Sequence, residues 1–159
     1  RGVWGVGDSA DSPPYTHSAD DHVRVVRDNL AGIDRTTIGR LVPFCLFTDP
    51  ELARVGLSES EAKSRGIAYR LTKIPVTAVL RSRTLSEPRG FYKALVATDS
   101  DRILGFTAFA PEAGEVMTIV QIAMNAGLPY MTLRDTILTH PTMAEGLAAL
   151  FQGVKSQTR

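Results

Sequence analysis

The sequence predicts an α+β fold, with antiparallel strands covered by helices on one side. Three observations carry this. Phe91 to Ala97 and Ile103 to Phe109 are apolar and β-prone, and the polar turn Thr98-Asp99-Ser100-Asp101 joins them as a hairpin. Ala113 to Ala126 places Val116, Ile119, Val120, Ala123 and Met124 on one side of a helix that ends at Gly127. The elements run strand, helix, strands, then helices, which suits strands layered under helices.

The remaining elements follow in chain order. Val3, Trp4 and Val6 predict the end of a buried strand, and Gly7-Asp8 opens a turn-rich loop through Asp11, Ser12, Pro13 and Pro14. From about His17 to Leu30, apolar residues Ala19, Val23, Val26 and Leu30 recur at helical spacing, with Gly32 as the stop. Residues 33 to 40 are polar and predict a linker, which places a domain boundary there. Leu41 to Phe47 predicts a strand that ends at Thr48-Asp49-Pro50. Ser58 and Glu61 form a capping box for a short helix stopping at Gly66. Ile67 to Val76 alternates as a strand does, and 79 to 88 is charged and irregular. Two short helices are expected at 132–138 and 142–151. There is no internal repeat.

Composition bounds the function. The 159 residues, 43% hydrophobic and 22% charged, suit a globular chain with a real core. The net charge of +1 gives no electrostatic reason to expect a nucleic acid or an anionic membrane as partner. Arg, Asp or Gly interrupts every apolar stretch before it could span a bilayer. The start, Arg1-Gly2-Val3-Trp4, lacks the apolar core of a signal peptide and reads as mid-strand, so an excised fragment is expected. A single cysteine, Cys45, allows no intrachain disulfide and no redox pair, and suits a reducing cytoplasm. In an apolar strand it reads most simply as a small buried hydrophobe.

Three motifs could carry chemistry. In Val3-Trp4-Gly5-Val6-Gly7-Asp8, a carboxylate at the carboxyl end of a strand could accept hydrogen bonds from a ligand's hydroxyls; the same residues also describe a common turn. In His140-Pro141-Thr142-Met143-Ala144-Glu145, the proline suits a first helical turn and pushes His140 out of helical geometry. Glu145, inside the helix that follows, could reach back and orient the imidazole for proton transfer. From spacing alone, a surface histidine before a capped helix is the better account, since carboxylate–histidine pairs are common by chance. His17 and His22 with Asp20 and Asp21 could suggest a metal cluster, but the histidines do not share a helical face. A solvated helix start rich in acids accounts for them, and no metal site is assigned.

Taken together, these segments resemble the pyridine nucleotide–disulfide oxidoreductases. The resemblance rests on Val-Trp-Gly-Val-Gly-Asp (3–8), Tyr15-Thr16-His17, Phe47-Thr48-Asp49-Pro50-Glu51-Leu52-Ala53-Arg54-Val55-Gly56-Leu57 and Gly90-Phe91-Tyr92-Lys93-Ala94. It continues through Arg102-Ile103-Leu104-Gly105, Ala113-Gly114-Glu115 and Thr139-His140-Pro141-Thr142-Met143-Ala144-Glu145, all in the family's order. The closest flavour is the mercuric-reductase-like and dihydrolipoamide-dehydrogenase-like branch, over roughly residues 2 to 153.

The resemblance implies a remnant of an FAD-binding domain at 1–36 and the dimerisation domain at 37–159. It gives Asp8 a contact to the flavin's ribityl chain and Thr16 a backbone approach to the isoalloxazine ring. It makes His140 an acid/base for a dithiol on the partner subunit of a homodimer, with Glu145 orienting it. Such an acid/base is needed because thiolate, not thiol, is the reactive species. FAD and NAD(P) would serve the full-length parent; this chain alone, without a Gly-x-Gly-x-x-Gly fingerprint or a Cys-x4-Cys pair, is expected to bind neither and to be inactive. Gly5 stands where the family usually has Ala. His140 stands where mercuric reductases usually have Tyr, which points towards a disulfide or related substrate. Two other readings stay open: a stand-alone non-catalytic dimerisation module, and a metal- or small-molecule-binding domain resting on His17 and His22.

Overall fold

The computed structural model describes residues 2–155. Arg1 of the first expected span, and residues 156–159 of the second, lie outside the described residues. Contacts divide the chain into two compact units meeting at Val42 and Pro43.

The first unit is a 3-10 turn, Gly7–Ser9, followed by α1, Thr16–Leu30. The strand expected at Val3 to Val6 does not form. Val3 is 94% and Trp4 48% exposed, and no described strand pairs with this segment. A strand exists through its ladder, so β-prone residues without a neighbour stay irregular. Helix α1 is stopped by Gly32, whose φ of 82° suits glycine.

The second unit carries a five-stranded sheet in the order β1-β2-β5-β4-β3, every pair antiparallel. The strands are β1 (Phe44–Leu46), β2 (Glu51–Gly56), β3 (Tyr69–Pro75), β4 (Phe91–Ala97) and β5 (Ile103–Ala110). The helices are α2 (Glu59–Ser64), α3 (Leu80–Thr84), α4 (Ala113–Asn125), α5 (Tyr130–Asp135) and α6 (Gly146–Gln152). Alternation sorts the sheet into two faces. Ala53, Val55, Tyr92, Ala94, Phe106 and Ala108 are buried on one, and Leu52, Arg54, Phe91, Lys93, Thr107 and Phe109 are half-buried on the other. The buried face meets the helices: α4 lies on β2 and β5, and α6 lies on β3 and β4 and against α5. Phe151, Leu147, Leu150 and Met143 complete this core. The α+β class is as the sequence predicts, but the helices are not all on one side: α4, α5 and α6 gather on the buried face, whereas α2 reaches the other face, where Glu61 pairs with Arg54 and Glu59 accepts from Lys93 at 2.8 Å.

The capping box of α2 forms in full: Ser58 Oγ accepts from the Glu61 amide at 3.2 Å, and Glu61 Oε2 accepts from the Ser58 amide at 2.7 Å. Three other details differ from expectation. Strand β2 is not anticipated by its helix-forming residues and arises from pairing on both sides. The stretch expected to be irregular at 79–88 contains α3. The last two helices are shorter, and α6 begins only at Gly146, because the residues before it form a separately fastened turn.

Candidate functional site

That turn spans Thr139 to Gly146, and β4 positions it. Tyr92 points inward and its hydroxyl donates to the Met143 carbonyl at 3.1 Å. Burial, with Glu112 nearby, pushes the Tyr92 phenol up, so it remains a donor. Met143 is 1% exposed and plugs the core. Gly146 packs directly on Tyr92: a Cβ there would lie 2.4 Å from its Cε2 and 2.6 Å from Val79 Cγ2. Thr142 Oγ1 donates to the Thr139 carbonyl at 2.8 Å and closes the loop.

On this fastened turn, His140 and Glu145 meet. Nδ1 of His140 lies 2.7 Å from Oε1 of Glu145. Oε2 of the same carboxylate accepts the Thr142 amide at 2.9 Å. Glu145 is therefore the residue just before α6, not a residue inside a helix as expected: its carboxylate takes an amide that a helix beginning at 142 would leave unsatisfied. The His140 hydrogen bond, and after it the Thr142 amide, hold the Glu145 carboxyl below the ordinary carboxylate range. A carboxylate can only accept, so Nδ1 carries the hydrogen and Nε2 keeps its lone pair. The His140 side chain is 64% exposed, which leaves that lone pair open to a group from outside the chain. The arrangement can take a proton at Nε2 and stabilise the resulting imidazolium.

Cys45 is no partner for this base. It lies in β1 with Sγ 4.0 Å from Glu51 Oε2, and burial, then that carboxylate, pushes its thiol up. Such a thiol is a poor nucleophile.

The other two candidates belong to the first unit. Asp8 lies in the 3-10 turn, exposed, with no hydrogen bond or ion pair among the described residues. Thr16 opens α1, and the side chain of Tyr15 just before it makes no capping hydrogen bond. The remaining histidines do not converge. His17 stacks on Tyr15, with ring centroids 5.1 Å apart, and His22 is buried. Among the described residues, no three His, Cys, Asp or Glu side chains are grouped to hold a metal.

Tyr92 and Gly146 were not signalled as site residues by spacing. Only the strand register and the close approach reveal them, although a glycine directly after Glu145 is a clue.

Residues 42–150 match the dimerisation domain of the pyridine nucleotide-disulphide oxidoreductases. The chain belongs to that family. It is 38% identical over 155 residues to "Probable pyridine nucleotide-disulfide oxidoreductase RclA" of Escherichia coli (strain K12), covering 96% of this chain and 35% of that one. It is 32% identical over 146 residues to dihydrolipoyl dehydrogenase 3 of Pseudomonas putida, covering 92% and 31%. The solved HOCl-induced flavoprotein disulfide reductase RclA from Escherichia coli superposes with a TM-score of 0.91 at 40% identity, over 96% of this chain and 35% of that one. The chain thus spans about a third of the length of these relatives.

Proposed function

We propose that this chain is the dimerisation end of an FAD-dependent NAD(P)H–disulfide oxidoreductase, and that His140, oriented by Glu145, serves a redox dithiol on the partner subunit of a homodimer. The contact that carries the proposal is the 2.7 Å pairing of His140 Nδ1 with Glu145 Oε1, which leaves Nε2 exposed. The chain has no second cysteine, so the thiol that Nε2 serves must come from elsewhere. When bound, the flavin supplies the hydride and electron chemistry. This chain's part is proton handling: Nε2 takes the proton from a substrate or enzyme thiol as it becomes thiolate, and returns it when a thiol leaves. Asp8 would hold ribityl hydroxyls, and the start of α1 at Thr16 would face the ring's carbonyls. The substrate class is a disulfide or dithiol, and the lone cysteine suits a cytoplasmic setting.

In the full-length protein, His140→Ala should slow dithiol–flavin exchange by roughly 10²–10⁴-fold, the usual worth of a positioned acid/base. Stopped-flow flavin absorbance measures it, with FAD retention as the control. Unchanged exchange would remove the acid/base role. The alternative, a stand-alone dimerisation module, differs on gene context. The oxidoreductase reading requires an in-frame upstream region encoding Gly-x-Gly-x-x-Gly and Cys-x4-Cys.

A further inference from the structure

Asp8 and Thr16 sit on two separate pieces of backbone, the 3-10 turn and the first turn of α1. The His22 side chain joins the two pieces by a hydrogen bond. His22, further along α1, is 6% exposed, and its Nδ1 lies 3.0 Å from the backbone nitrogen of Gly7, the residue before Asp8. Its Nε2 lies 2.8 Å from Nη2 of Arg40.

A neutral imidazole offers one lone pair and one N–H, and a guanidinium can only donate. Both nitrogens of His22 face donors, so the ring can satisfy only one of them. Arg40 has other acceptors: Nη1 donates to Asp21 Oδ2 at 2.9 Å, and Nη2 to Ser12 Oγ at 2.9 Å. The Gly7 amide has no other acceptor among the described residues. The Gly7 amide is part-buried and would lose its one acceptor among the described residues, whereas Arg40 keeps Asp21 and Ser12, so the lone pair belongs on Nδ1.

We propose that His22 is a positioning residue whose Nδ1 ties the Gly7–Asp8 turn to α1, fixing the spacing of the two places where FAD would meet this chain. The proposal rests on the flavin reading of Asp8 and Thr16. It predicts a directional requirement. An Asn at this position puts its carbonyl oxygen where Nδ1 stands, whereas a Gln puts its polar end where Nε2 stands.

The test uses the full-length flavoprotein and measures the rate of flavin release, with thermal unfolding of the apoprotein as a control. His22→Asn should release flavin at close to the wild-type rate. His22→Gln should release it about fivefold to tenfold faster, the worth of one neutral hydrogen bond. Arg40→Gln should leave release unchanged, and this variant serves if the buried substitutions do not fold. Equal effects of Asn and Gln, rescue by Gln alone, or fast release from Arg40→Gln would each overturn the assignment. Asp8→Ala separates the two levels. If it leaves release unchanged, the flavin reading itself fails; if it speeds release while His22→Gln does not, only the positioning role fails.

Discussion

The carboxylate of Glu145 divides its two oxygens between His140 Nδ1 at 2.7 Å and the Thr142 amide at 2.9 Å. One side chain thus fixes both the imidazole's tautomer and the backbone on which it stands. Glu145→Gln breaks this symmetry. If its oxygen receives the His140 N–H, its amide nitrogen must face the Thr142 N–H. In the full-length protein, dithiol–flavin exchange should fall about tenfold to a hundredfold, short of the roughly 10²–10⁴-fold expected when the base itself is removed. A Gln variant with wild-type exchange in stopped flow would show that orientation by Glu145 is dispensable.

The same contacts set a pH dependence. Glu145 is a depressed carboxylate, so its hydrogen bonds stabilise the turn fully above the ordinary glutamate value of about 4.3 and lose that effect as the pH falls through the lower folded value. The side-chain carboxyl resonance of Glu145, followed by NMR, should titrate below about 4.3 in the wild type and closer to it in His140→Ala. A midpoint that does not move in the variant would assign the depression to Thr142 alone.

Gly146 is a steric requirement of the site. Gly146→Ala would set its Cβ 2.4 Å from Tyr92 Cε2 and 2.6 Å from Val79 Cγ2. Overpacking of this kind costs about 1–3 kcal/mol, read as a lowered urea midpoint. The strain would fall on the residue after Glu145, so exchange in the full-length protein should drop as well. Wild-type stability would mean that α6 moves freely away from β4.

Glu112, just before α4, has a φ of 57° and occupies the left-handed region. This conformation costs an L residue other than glycine, Asn or Asp roughly 1–2 kcal/mol. Glu112→Asn should therefore raise stability by about 0.5–1 kcal/mol, measured by urea unfolding. A loss of stability would mean that the Glu112 side chain contributes more than its backbone costs.

Much of this was legible because it is local. The hairpin β4–β5, the stripe of α4 and the Ser58–Glu61 box are written in neighbouring residues, and the structure returns all of them within a residue or two. The pairing of His140 with Glu145 was legible as spacing, although the sequence put Glu145 inside a helix. What was hidden depends on distant partners. Strand β2 has the composition of a helix, Glu-Leu-Ala-Arg, and becomes a strand by lying between β1 and β5. Val3 to Val6 has the composition of a strand and stays irregular because no described strand lies beside it. Tyr92 and Gly146 touch across the fold, a relation that no sequence period encodes.

The exposure of His140 also bears on inheritance. If each subunit lends its imidazole to the other's thiols, an allele lacking His140 and an allele lacking the cysteine pair are each silent alone. Expressed together, they assemble hybrids in which one of the two crossed sites is intact. Two defective copies of the gene would then restore a phenotype that neither supports, and the recovery would be bounded by the fraction of hybrids formed.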